Sequence, residues 1–116
     1  ELVQAHRDSG DAAIEALVGE LTARLWTLRQ MSLSVADGVA RGQNPTVEAA
    51  IVKDLGATLE QDMPMMAQAA IGGASGEGAA LRETIEYLLL FAPIFSLRGG
   101  TREILRGIIA KEIGLR

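Results

Sequence analysis

The residues best suited to chemistry stand together near the end of the chain, in Arg98-Gly99-Gly100-Thr101-Arg102-Glu103. Two glycines permit backbone angles closed to other residues and let a ligand approach the main chain. Thr101 follows where a helix begins, so its hydroxyl can cap the first turn. Glu103 falls where negative charge complements the helix dipole. Arg98, Arg102 and Arg106 surround the junction with positive charge. The amides of such a helix start can hold a phosphate or a sugar oxygen. On residue types alone two readings stand: a helix cap, or an anion or nucleotide site.

The other reactive side chains point elsewhere. His6 is the sole histidine and lacks the Glu-x-x-His spacing of a metal site built between helices, so it reads as a solvated terminal residue. Glu15, Glu20, Glu48, Asp54, Glu60 and Asp62 are spread over polar faces, read as solvated surface, and make no pair placed for acid–base work. Met63-Pro-Met-Met66 reads as soft filling around a proline, with an adaptable binding face as the other reading. Trp26 lies beside an apolar stripe and is expected to be partly buried. No catalytic residue and no metal ligand emerge.

The elements that carry these residues are helical. Apolar positions at Ile14, Leu17, Val18, Leu21, Leu25, Leu28, Met31 and Val35 predict a long helix over 11–41. Gly42-Gln-Asn44-Pro45 supplies a terminator, an Asn N-cap and a proline at the first helical position. A second helix is predicted from Pro45 to about Ala70, with Val47, Ile51, Leu55, Leu59 and Met63 at successive turns and a kink near Glu60 caused by Pro64. Gly72 to Gly78 reads as a flexible loop. A third helix spans about Ala79–Ala92, and a fourth runs from Thr101 to near Ile113, with Gly114 as its stop. Residues 1–10 read as a frayed lead-in, and 11–116 as one all-α domain, an up-down antiparallel four-helix bundle.

Composition agrees and excludes other classes. The chain has 116 residues, enough for one core, and 48% of them are hydrophobic while only 3% are aromatic. Its core is therefore built from aliphatic side chains, which suit helices. A net charge of −4 argues against a nucleic-acid or anionic-membrane surface. The absence of cysteine excludes disulfides and thiol chemistry and fits a cytoplasmic location. No run is long enough to span a bilayer, and the first residues do not read as a secretory signal. A start at Glu1 without Met points to a piece of a longer chain.

Taken together, Gly99-Gly-Thr-Arg-Glu-Ile104, Ile108-Ile-Ala110 and Ile113-Gly-Leu115 resemble the C-terminal end of the acyl-CoA dehydrogenase family. The long first helix, Gly42-Gln-Asn-Pro45 and the run Ala50-Ile-Val-Lys53 follow the family's order, so the resemblance covers about 19–116. It implies a flavoenzyme that oxidises an acyl-CoA thioester to its 2,3-enoyl form with FAD and passes electrons to a separate acceptor. It also implies that this chain is only the C-terminal four-helix bundle of such an enzyme, oligomeric and inactive alone. By the resemblance Gly100, Thr101, Arg102 and Glu103 lie at the FAD.

Two departures stand out. Many members carry the catalytic carboxylate immediately before Gly-Thr, where this chain has Gly99. The base is then absent, or lies on an opening helix before Glu1. The family's Gln-x-x-Gly-Gly, which approaches the FAD of a neighbouring subunit, is here Gln68-Ala-Ala-Ile-Gly72-Gly73, one residue longer. A cofactor-poor subunit of a mixed dehydrogenase would show such losses. The competing expectation is a non-catalytic helical module for interaction or oligomerisation, with the glycine junction as a plain helix cap.

Overall fold

A computed structural model describes residues 2–72 and 79–115. Among the described residues five helices follow in order: α1 (Leu2–Ser9), α2 (Ala12–Ala40), α3 (Thr46–Ile71), α4 (Ala79–Phe95) and α5 (Arg102–Glu112). The described residues contain no strand. Helices α2 to α5 are the four expected from periodicity. The glycine-rich loop expected up to Gly78 lies, from residue 73 onward, outside the described residues.

Local chemistry sets the helix ends. The Asp11 carboxylate accepts the Ala13 amide at 2.7 Å and opens α2. At its far end the Gln43 amide donates to the Gly38 carbonyl (3.0 Å) and the Gly42 amide to Val39 (2.9 Å). This six-to-one and five-to-two pair needs a left-handed residue, which Gly42 supplies at φ +77°. The same closure ends the chain, with Leu115 donating to Ala110 and Gly114, at φ +81°, donating to Lys111. One boundary shifts: Pro45, not Asn44, flanks α3, and Asn44 spends its side-chain oxygen on the Thr46 hydroxyl at 2.8 Å.

The lead-in is helical, not frayed. An eight-residue helix has little stability alone. Here α1 packs on α2, and Leu2 and Ala5 rest against the core. The surroundings of the His6 side chain fall outside what is described. The core joins Leu17 and Leu21 of α2, Leu59 and Ala67 of α3, and Leu81 and Ile85 of α4. α3 remains one helix through Pro64, whose ring is fully enclosed, and Met63 and Met66 pack beside it. Met63 and Met66 are partly buried against the core, while Met65 is exposed. α4 likewise continues through Pro93 to Phe95.

α3 is the hub: α2, α4 and α5 each pack on it. Its alanines at 50, 57 and 67 are buried and let neighbours come close. Each neighbour runs antiparallel to it. Ile85 of α4 shares the core with Ala67, while the Ala92 carbonyl accepts from Gln61. Arg102 of α5 reaches Gln61 and Asp54, and Arg106 reaches Asp54 alone. So α4 covers the C-terminal half of α3, and α5 continues in the same direction along the N-terminal half. The last reversal of an up-down bundle is replaced by a turn at mid-height.

The molecule is correspondingly long, 52 × 26 × 21 Å with a radius of gyration of 17.2 Å, against about 13 Å for a closed domain of this length. Apolar residues stay uncovered as a result. Leu25 and Leu55, both placed in core stripes by periodicity, are about half exposed, and Trp26 is exposed rather than partly buried.

Candidate functional site

The turn between α4 and α5 holds the predicted residues. Gly99 and Gly100 sit at φ +76° and +100°, angles that side chains strongly disfavour, and this lets the chain swing onto α3. A Cβ on Gly99 would lie 3.5 Å from the Lys53 side chain, and one on Gly100 would lie 3.7 Å from Leu105. Leu105 is buried and anchors the first turn of α5. Gly99 is exposed, and Gly100 and Thr101 are half-buried.

Thr101 occupies the cap position in extended geometry, yet its side chain makes no capping hydrogen bond. Only its carbonyl joins the helix, accepting the Leu105 amide at 3.0 Å. Its hydroxyl instead lies near the Glu103 carboxylate and favours the charged form. The backbone N–H of Glu103 and that hydroxyl hold the exposed Glu103 carboxyl below the usual glutamate range, helped by Arg106 and Arg102. The first turn of α5 therefore has no cap from Thr101, while the Glu103 carboxylate, which turns back on its own amide, stays ionised.

The three arginines do not form the open positive rim read from the sequence. Arg102 donates to Asp54 at 3.2 Å and to Gln61 at 3.4 Å, and Arg106 donates to Asp54 at 3.1 Å. Arg98 pairs with Glu60 at 3.5 Å and stacks on Phe95, 5.1 Å from the ring centre. Asp54 is only 15% exposed. It was read as a surface acid and is instead the centre of a clamp between α3 and α5. Gln61 ties the clamp to α4 through the Ala92 carbonyl at 3.1 Å. The signal was legible: arginines at 98, 102 and 106 recur every turn, and Asp54, Glu60 and Gln61 lie along one side of α3.

Gly100, Thr101, Arg102 and Glu103 are thus brought into one corner at mid-height of the bundle, with Arg102 turned inward. With Asp54, Glu60 and Glu103 set against Lys53, Arg98, Arg102 and Arg106, the corner carries aligned backbone dipoles and a small positive excess. Exposed Leu97 and Ile104 flank it. A cleft of about 330 Å³, lined by Ser32, Val35, Lys53 and Glu60, opens between α2 and α3 on the side of Lys53. Among the described residues no three metal-ligating side chains come together, and no helix is long and apolar enough to cross a membrane.

No curated protein and no solved structure matches the chain. The family model for the acyl-CoA dehydrogenase C-terminal domain matches residues 5–114, and so takes in α1 as well as the four helices behind it. With that match spanning nearly the whole chain, and with an all-helical fold, the chain belongs to the acyl-CoA dehydrogenase family and carries its C-terminal domain.

Proposed function

We propose that the chain serves as the C-terminal bundle of an FAD-dependent oxidoreductase that desaturates acyl-CoA thioesters in the cytoplasm, contributing flavin contacts and oligomer packing. The observation that carries this reading is the corner at Gly100–Glu103. Thr101 puts no side-chain cap on α5, two left-handed glycines clear the approach, and an arginine clamp fixes the corner to α3.

The corner fits part of a flavin dinucleotide. First-turn amides other than that of Glu103 can donate to ribose, ribityl or ring oxygens, the Thr101 hydroxyl can donate or accept, and the Glu103 carboxylate accepts from sugar hydroxyls. Leu97 and Ile104 offer apolar contact beside them. FAD, when bound, supplies the two-electron acceptor for the desaturation, and a separate electron-transfer partner reoxidises it. The chain's own residues bind and orient.

Gly99 favours a second, narrower reading, a cofactor-poor subunit paired with a related catalytic one. No carboxylate stands at that position, and Lys53 lies over it. Either way the isolated chain is expected to be colourless and inactive, because a flavin pocket needs the other domains of the parent enzyme.

The test is Thr101→Ala in the full-length parent. Losing one hydrogen bond should weaken flavin binding about tenfold. The bundle's melting point should hold, since no side-chain cap is lost. Unchanged flavin affinity would remove Thr101 from the site.

A further inference from the structure

The chain between α4 and α5, residues 96–101, turns through two glycines at φ +76° and +100°. Glycine permits those angles but does not select them, because it admits many others at similar cost. The direction of the turn has to be imposed at its two ends. At the first end, the carbonyls in the last turn of α4 need partners from outside the helix. Pro93 accepts from the Ser96 hydroxyl and Ile94 from the Leu97 amide, each at 3.0 Å and each from within the connection. Ala92 is served from another helix, by the Gln61 side-chain amide of α3 at 3.1 Å.

At the second end Arg102 opens α5. It donates to the Gln61 side-chain oxygen at 3.4 Å as well as to Asp54 at 3.2 Å. Among the described residues, half-buried Gln61 is the one side chain hydrogen-bonded to both α4 and α5. A carbonyl only accepts and a guanidinium only donates, so the amide has one orientation, nitrogen towards α4 and oxygen towards α5. A glutamate keeps the acceptor but loses the donor, a lysine does the reverse, and a leucine has neither. Asp54 cannot take over, because its carboxylate bonds α5 and not α4.

We infer that Gln61 is the positioning residue of the corner: one amide pins the end of α4 and the start of α5 to the same point of α3 and so sets the glycine turn between them. Its consequence for the cofactor rests on the flavin reading of that corner; its consequence for the turn does not.

Hydrogen–deuterium exchange on the chain tests it at two amides. The Leu97 amide closes the end of α4 on Ile94, and the Leu105 amide closes the start of α5 on Thr101. Gln61→Leu should speed exchange at both, about fivefold. Gln61→Glu should speed Leu97 but not Leu105, because it keeps the acceptor for Arg102. Leu105 exchange at the wild-type rate in Gln61→Leu would overturn the inference, since Gln61 would then support α4 alone. Equal loosening of both ends in Gln61→Glu would overturn it too, as the mark of a general loss of stability. In the full-length parent Gln61→Leu should weaken flavin binding about fivefold. Faster Leu105 exchange with flavin affinity unchanged would uphold Gln61 as the positioning residue of the turn and remove the flavin from the corner.

Discussion

The two flanks of α3 are built from different materials. Towards α2 and α4 it offers Leu59, Met63, Met66 and Ala67 to an aliphatic core that, among the described residues, holds no buried charge. Towards α5 it offers Asp54, Glu60 and Gln61 to a row of arginines. The first flank removes apolar surface from water and depends little on exact direction. The second gains less in water, because the desolvation of charged groups offsets their attraction, but it fixes geometry. The contrast teaches a division of labour: aliphatic packing keeps the bundle folded, and the clamp sets where the corner at Gly99–Glu103 sits.

The largest effect should come from the apolar flank. Leu59→Ala leaves a cavity at the meeting point of α2, α3 and α4 and should cost about 2–5 kcal/mol in denaturant unfolding. A loss below that range would mean that the core is not shared as described. An intermediate effect is expected at the turn, where Gly99→Ala forces a Cβ into φ +76° with only ordinary contact to Lys53. The cost should be about 1–2 kcal/mol from backbone strain. An equally stable variant would show that the turn relaxes without harm.

The smallest effect concerns pH. The Glu103 carboxyl is held below the usual glutamate range by its own backbone N–H and the Thr101 hydroxyl, so its stabilising contribution is present above the unfolded pKa and fades as pH falls through the lower folded one. NMR titration of its carboxyl should show the depressed midpoint, and Thr101→Val should move it upward by removing the hydroxyl bond. No movement would break the Thr101–Glu103 contact.

Much of the fold could be read from the residues. The α2 and α3 periods, the glycine stops at Gly42 and Gly114, and the methionine filling around Pro64 all follow from local chemistry. The family was legible from the closing run of residues. What local pattern could not convey was the occupant of each face. Asp54 looks like a solvated acid until Arg102 and Arg106 are brought to it from about 50 residues away in sequence. Leu25 and Leu55 continue apolar stripes, but the stripes outrun the helices available to cover them. Leu2 and Ala5 order α1 only because the core lies beside them. The glycine pair at 99–100 marks a turn, yet its direction, onward along α3 rather than back, depends on the clamp. Thr101 has the right type and place for a cap, yet its side chain makes no capping bond and instead helps to keep Glu103 ionised.

The central claim is that the charged flank positions a flavin corner while the apolar flank holds the fold. The most direct measurement is flavin affinity and melting temperature on the same sample of the full-length parent carrying Asp54→Asn, which keeps the shape of the side chain and removes its charge. The account predicts flavin binding weakened about tenfold, with the melting temperature lowered by only a few degrees. Flavin affinity left at the wild-type value would contradict it.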